Sequence, residues 1–469
     1  MKLLDTAKPM KTISEKESFD ILMSMKATVA DFYSVTPLHY IYAGPLGWKH
    51  FHLLLNQLIL DVNCTTIVEV NRTYACILFK GHSKNKQLAK SYRTISTCPV
   101  IAKALDVFLR NQFCDSWYKD QAPTQFQGQG SSHELAALLL TECILHSSWT
   151  LKEPLFALYL DARSAFDVVQ KEMLVRNLFH VQQPDQALKI IDNRLTHRDT
   201  ILDWEGTFMG PINDQQGLEQ GGVNSSEYYK IYGKEQLSLP TTAALGVPLG
   251  NLVVSAIGQA DDTVLVSNDI VLLSYLLELN KVYCKNYLVE LGAEKTKLQM
   301  FPPSGSQMNA EYAALTNPIK INNFDIPFSS TADHVGVLRS ITGNGPTILA
   351  RFSAHRRALS GIMHVGLGKG HRGNPALGLR VEKLYAAPVL LSGLASLKLS
   401  RKEVMQLDQH YCETLRQILR LERKTPQCVI YFLAGSLPGS ALLHIRQLGL
   451  FGMITRLSGN VLNLHARNI

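Results

Sequence analysis

Along the chain, stretches whose apolar residues recur every three or four positions give way to stretches in which they run unbroken or alternate. Up to residue 75 the spacing is mostly helical, as in "WKHFHLLLNQLILDV". "ACILFKGHSKNKQLAKSYRTIS" then predicts a strand, a basic loop and another strand or turn. Helical spacing returns in "PVIAKALDVFLRNQF", where Pro99 suits a first turn, and in "SSHELAALLLTECILHSSW", where Ser132 is placed to cap. The period changes in "PLFALYLDARSAFDVVQKEMLVRNLF". Its apolar run 155–160 predicts a buried strand that ends on Asp161 and passes into a helix. Residues 251–267 predict an apolar hairpin, and "DIVLLSYLLELNKVYCKNYLVELG" a long amphipathic helix with Gly292 as C-cap. Strands follow in "TKLQMF" and "HVGVL", and beyond about residue 348 the pattern is helical. This mixture predicts an α+β fold with a sheet covered on one face.

At 469 residues, 46% hydrophobic and 18% charged, the chain reads as globular, with two to four subdomains. No apolar run reaches membrane-spanning length, and the first 20 residues are too polar for the core of a secretory signal. The eight cysteines form no CxxC pair, which predicts reduced thiols in the cytosol or nucleus and not a disulfide frame or zinc site. The net charge of +8 is uneven: from Arg351 onward 17 Lys+Arg face 5 Asp+Glu, leaving the rest of the chain slightly acidic. Such a basic third suits a polyanion, or is simply a solvated helical surface.

"AIGQADDTVLVS" sets Asp261 beside Asp262 in an otherwise apolar stretch. One reading is a hairpin turn, which Asp tolerates well. The other is a site, because a buried, unpaired carboxylate is costly unless something compensates it. Asp161, 100 residues earlier, also ends a buried strand. Carboxylates that converge repel one another, and Mg²⁺, which prefers hard oxygen ligands and shares its shell with phosphates, relieves the repulsion. Two such ions about 3.5–4 Å apart can activate a hydroxyl and stabilise a leaving oxygen, the chemistry of nucleotide polymerisation.

"LYLDARSAFDVV", "GLEQGGVNSSEYYKIYG", "GQADDTVLVS", "LGAEKTKLQMF" and "HVGVLRS" stand in the order of motifs A to E of a reverse transcriptase palm. Upstream, "ILFKGHSKNKQLAKSYRTIS" resembles the fingers of such enzymes. "QFQGQGSSHELA" is similar to the fingers–palm link of non-LTR (LINE-type, jockey-like) retrotransposon polymerases. The resemblance covers about residues 50–340 and implies a right-hand polymerase fold. Residues 1–50 would be an N-terminal helical extension and 51–150 the fingers. Residues 151–345 would be an antiparallel palm, and 346–469 a basic helical thumb and C-terminal region.

The resemblance also implies roles. Asp161 and Asp261 would ligate two Mg²⁺ ions, or Mn²⁺ in their place, with Asp262 as a supporting acid and the Ala162 carbonyl reaching one ion. Phe166 resembles the steric gate that excludes a 2′-hydroxyl by volume; the plainer reading is a core Phe at a helix start. Gln220 and Gly221 match the motif B turn, where glycine lets the backbone approach substrate and template and the amide can bond near the nucleotide. Lys80 and Arg93 look like fingers cations for the triphosphate, as solvated surface charges also would. Lys295 resembles the motif D lysine that protonates pyrophosphate, with Lys297 as its rival. The partners implied are an RNA template, a DNA primer or target, dNTPs and a separate endonuclease, with no membrane, in nucleus and cytoplasm.

Some features depart from the pattern. Gln259 stands where many reverse transcriptases have an aromatic residue before Ala-Asp-Asp, and motif B lacks the common Ser-Pro-rich form. The residues ahead of the fingers are too few for an endonuclease, so a longer polypeptide or a separate nuclease is expected. The cysteine spacing excludes a zinc knuckle, and the five acids between Glu382 and Glu422 are too clustered for an RNase H. "SAHRRALSG" and "LRQILRLERK" supply arginine at helical spacing, so one face could track a duplex backbone. The competing function is a polymerase-like RNA-binding scaffold, or domesticated element fragment, that has lost its chemistry; the survival of all three motif acids argues against it. An RNA-copying RNA polymerase is disfavoured by Phe166.

Overall fold

Every residue of Leu155–Leu160 is buried, which requires cover on both faces of the strand and not the single face expected. It belongs to a computed structural model that describes residues 10–26, 30–81, 85–119, 121–127, 131–181, 185–306, 319–362, 374–457 and 462–463. Part of the basic fingers loop (82–84) and of the fingers–palm link (128–130) lies outside the described residues. In chain order the strands of the two four-stranded sheets are β1 (Arg72–Phe79), β2 (Tyr92–Thr97), β3 (Leu155–Leu160), β4 (Asp199–Trp204), β5 (Thr207–Asn213), β6 (Ala256–Gln259), β7 (Asp262–Ser267) and β8 (Lys297–Phe301).

The chain divides into two compact units that interleave in sequence. One comprises residues 1–122, 162–236 and 282–290, the other 123–161, 237–281 and 291–469. The first unit holds a sheet in the order β2-β1-β4-β5, with β1 parallel to β4 and the other pairs antiparallel. The helix Gly44–Leu60 buries Phe51, Leu55, Leu58 and Ile59, the one-sided spacing of an amphipathic helix. A buried Arg194–Asp106 pair, bidentate at 2.9 Å, ties the helix Asp185–Thr196 to the helix Val100–Lys119. Burial raises the Asp106 carboxyl against the lowering effect of Arg194.

The second unit holds the sheet β8-β3-β7-β6, antiparallel throughout. Its core joins strand residues Leu155, Ala157, Val264 and Val266 to Leu139 and, from the C-terminal helices, Leu390 and Leu415. Each Leu and Val among them contributes about 1.5–3 kcal/mol by leaving water. All eight cysteines are free thiols. Among the described residues no single helix is long and apolar enough to cross a membrane, although the bent pair Gln427–Ala434 and Gly439–Arg456 passes on length and composition together.

Several local expectations give way to long-range contacts. The strand ending on Asp161 does not run into a helix: a turn intervenes, with Ser164 at φ +48°, and the helix begins at Lys171. Ser132 occupies the N-cap of His133–Leu145, but its side chain makes no capping bond. The helix from Ile270 ends at Asn286, where Leu288 turns left-handed at φ +54°, so Gly292 is not its cap. "HVGVL" is a hairpin and not one strand, with Thr331–His334 paired to Val337–Ser340 across Val335 and Gly336, both at positive φ. The arginines of "LRQILRLERK" do not line one helix face, because the helix stops at Leu419 with Arg420 left-handed and Arg416 paired to Glu413.

Candidate active site

In the second unit the Asp161 position is set by backbone. Leu160 pairs with Thr263 of β7, so Asp161 leaves β3 beside the start of the β6–β7 hairpin. Gln259 and Asp262 form the hairpin's last pair, and Ala260 with Asp261 makes the turn. Ala260 takes φ +58°, a left-handed conformation that costs a non-glycine residue about 1–2 kcal/mol, and its N–H donates to Gln125 Oε1 at 3.2 Å. The turn reading of the paired acids holds: Asp261 lies in the turn and Asp262 opens β7.

The three carboxylates interact. Asp262 is exposed at its edge yet crowded by protein atoms, and this desolvation, followed by the charges of Asp261 and Asp161, pushes its carboxyl up to about 6. Lys295 supplies countercharge: its ammonium lies 3.1 and 3.2 Å from the two Asp161 oxygens. With the Lys295 side chain 64% exposed, the pair adds little stability. The loop that presents Lys295 is built on Asp161 itself. Gly292 N–H donates to the Asp161 carbonyl at 2.8 Å, and Asp161 N–H donates to Thr296 Oγ1 at 3.4 Å. Thr296 Oγ1 in turn donates to the Gly292 carbonyl at 2.9 Å. Lys297, the rival lysine, sits on β8 opposite Tyr159 and donates to the Thr331 carbonyl at 3.4 Å. Only Lys295 of the two bonds Asp161 in the structure.

Among the described residues no three His, Cys, Asp or Glu side chains form a closed metal-binding cluster. Both oxygens of Asp161 are bonded by Lys295. The chemistry of the set nonetheless suits a hard divalent cation, since all three side chains offer carboxylate oxygens, and burial, followed by the charges of Asp261 and Asp161, raises Asp262.

The first unit carries the other candidates. Ala162 follows Asp161 directly and is half-buried. The Phe166 ring is half-buried and stacked on Tyr229, with centroids 4.6 Å apart and planes 14° from parallel. Its carbonyl accepts from Leu218 N–H at 2.8 Å. The Gln220 amide donates to Asp167 Oδ1 at 3.1 Å, and its carbonyl accepts from Ser96 N–H at 2.8 Å. Gly221 has φ +119°, and a Cβ there would lie 2.7 Å from the Ser96 carbonyl oxygen. Glycine is required by the close approach of the β2 backbone, a contact within the protein in addition to any with substrate. Arg93 is exposed on β2 opposite Leu78, and Lys80, two residues past Leu78, is exposed beyond the end of β1. Strand alternation puts both cations on one face of the hairpin.

Residues with no local signature hold this second group in place. Arg198, 5% exposed, donates to Asp214 Oδ2 at 2.7 Å and to the Gly217 carbonyl at 2.9 Å, and lies 3.9 Å from Glu219. Thr73 donates to Glu219 at 3.0 Å and Thr200 to Asp214 at 2.7 Å. Lys171 bonds the carbonyls of Leu195 and Asp214, and burial, followed by the nearby Arg198, pulls its ammonium down to about 8. Together these groups brace the segment 214–221 that carries Gln220 and Gly221. Arg198, Thr296 and Tyr229 escaped sequence reasoning because their partners lie 16 to 135 residues away in the chain.

The model of the family described as "Reverse transcriptase (RNA-dependent DNA polymerase)" matches residues 82–330, just over half of the chain and all the candidate residues except Lys80. A search of curated proteins finds no match. Among solved structures, the chain is similar to apo telomerase from Candida tropicalis truncated from its C-terminal domain, with 12% identity and a TM-score of 0.36. That likeness covers 54% of this chain and 51% of the telomerase chain, so this chain spans about half the length of that structure.

Proposed function

The chain belongs to the reverse transcriptase family, and from that footing we propose that it is the RNA-directed DNA polymerase of a non-LTR, jockey-like retrotransposon. The observation that carries the reading is the strand register that brings the end of β3, where Asp161 stands, beside the start of β7, where Asp261 and Asp262 stand. In this reading Asp161 and Asp261 hold two Mg²⁺ ions, for which Mn²⁺ can substitute, with Asp262 beside them and the Ala162 carbonyl as a further ligand. When bound, the ions would activate the primer 3′-hydroxyl and stabilise charge on the departing pyrophosphate.

The chain's own residues do the rest. Thr296 and Gly292 fix the Asp161 backbone, and Lys295 sets its amine next to that carboxylate, where it would serve as the acid for a leaving oxygen. Lys80 and Arg93 offer two cations on one face of a hairpin to the triphosphate. Gln220, held by Asp167 and Ser96, presents a fixed amide edge, and Phe166 excludes the 2′-hydroxyl by volume. The division into fingers at 51–150, palm at 151–345 and thumb at 346–469 belongs to the same proposal. So do an RNA template, a primer at a nicked DNA target, a separately supplied endonuclease, and residence in nucleus and cytoplasm.

The test is extension of a DNA primer on an RNA template with Mg²⁺ and dNTPs, comparing the chain with Asp261→Ala. The proposal expects extension that the substitution lowers on the order of 10³-fold or more. RNA binding without extension by the unsubstituted chain would favour the scaffold.

A further inference from the structure

Phe166 and Tyr229 lie face to face, 4.6 Å apart and 14° from parallel, and nothing in the chemistry above uses Tyr229. Tyr229 is 2% exposed, whereas Phe166 is half-buried, so one face of the Phe166 ring is blocked by a side chain that has little room to retreat. Tyr232, Tyr283 and Tyr287 of the same unit are buried as well. Tyr283 stacks on Tyr287 at 4.6 Å, and Tyr232 meets Tyr287 edge-on at 4.9 Å. The Tyr232 hydroxyl donates to the Tyr287 carbonyl at 2.8 Å and accepts from Gln170 N–H at 3.2 Å. Tyr229 stands on the helix Ser225–Tyr232, which begins four residues after Gly221. The backbone of Phe166 is pinned to the same segment through the Leu218 N–H.

We infer that Tyr229 is a positioning residue for sugar selection: a flat, buried shelf that fixes the height and plane of the Phe166 ring. The inference rests on the polymerase reading and deepens it by naming what makes the gate unyielding. A ring that excludes a hydroxyl by volume works only if it cannot give way, because a shift of about 1 Å would admit the extra oxygen. Offset stacking against an immobile ring supplies that stiffness and holds the plane as well as the distance. The Tyr229 ring, and not its hydroxyl, carries the role.

The test is single-nucleotide extension on an RNA template, measuring kcat/KM for a deoxyribonucleotide and for the matching ribonucleotide. Tyr229→Leu is expected to lower the deoxy-to-ribo ratio about tenfold, mostly through faster ribonucleotide use. Tyr229→Phe keeps the flat face and is expected to leave the ratio unchanged. Tyr229→Met fills the site with a flexible, unstacked chain and should repeat the Leu result, so loss of folding in one variant leaves the other to decide. A purely structural role would lower melting temperature and both rates together and leave the ratio alone. An unchanged ratio in active Leu and Met variants overturns the inference, as does a fall in the Phe variant equal to theirs. Phe166→Ala separates the two levels. If that substitution does not relax selection, the gate reading fails and Tyr229 with it; if it does while Tyr229 variants do not, the shelf alone fails. Absence of any extension by the unsubstituted chain overturns the polymerase reading.

Discussion

The acid end of the second unit and the 214–221 segment of the first are held by different physics. Asp161, Asp261 and Asp262 repel one another, and their places are fixed from outside the charges by strand register, a left-handed Ala260 and the Gly292–Thr296 brace. Gln220 and Gly221 are fixed by attraction, through the buried Arg198 and its acids and through β2 backbone. In the proposed reading, charges that oppose the fold serve chemistry, and charges that support it are buried for position. Such residues should part company when stability and activity are measured separately.

Substitution of one residue from each region gives the largest contrast. Asp161→Asn is expected to lower primer extension on the order of 10³-fold while leaving the melting temperature unchanged or slightly higher, since a repelling charge is removed. Arg198→Ala is expected to cost about 3–5 kcal/mol in denaturant unfolding, because Asp214 and Glu219 would be left without their cation. Equal loss of stability in both would erase the distinction.

A smaller effect sharpens the second half of the comparison. Gly221→Ala puts a Cβ against the Ser96 carbonyl at a φ that side chains rarely adopt, with an expected cost of about 1–3 kcal/mol. Its KM for the nucleotide should rise more than its kcat falls, because the segment would shift without touching the acids. Steady-state kinetics beside a melting curve check both.

The smallest effect lies in the C-terminal helices, where a titrating group opposes folding with no part in the chemistry. His410 stacks on Phe352 at 4.0 Å and lies 2.9 Å from His355. Burial, then His355 and Arg356, press its imidazole down to about 4. Between its unfolded value near 6.5 and that value, the unfolded chain binds a proton that the folded chain refuses. Stability should therefore fall as pH is lowered through this window, by about 1–2 kcal/mol once solvent screening of this partly exposed ring is allowed for, and be regained on return to neutral pH. His410→Phe should flatten that dependence in melts at pH 4.5 and 7.

The two regions also differ in how far the sequence revealed them. Asp161 and Asp261 were legible because alternation and burial are local: an unbroken apolar run that stops at an acid announces a strand end. Phe166, Gln220 and Gly221 came from resemblance, and the sequence held no sign that Gly221 answers to Ser96. Gly292 was misread because a glycine after an amphipathic run looks like a cap, whereas its N–H is committed to Asp161. Ser132 was misread for a related reason, as position at an N-cap does not oblige a side chain to bond there. Periodicity reports which face a residue takes, and it is silent about partners brought near only by folding.

The most direct measurement is binding of Mn²⁺, followed by electron paramagnetic resonance with a dNTP and an annealed RNA–DNA template-primer present. The account predicts protein-bound Mn²⁺ with the unsubstituted chain and its loss in the Asp161→Asn, Asp261→Asn double variant. Undiminished binding in that variant, or none with the unsubstituted chain, would contradict it.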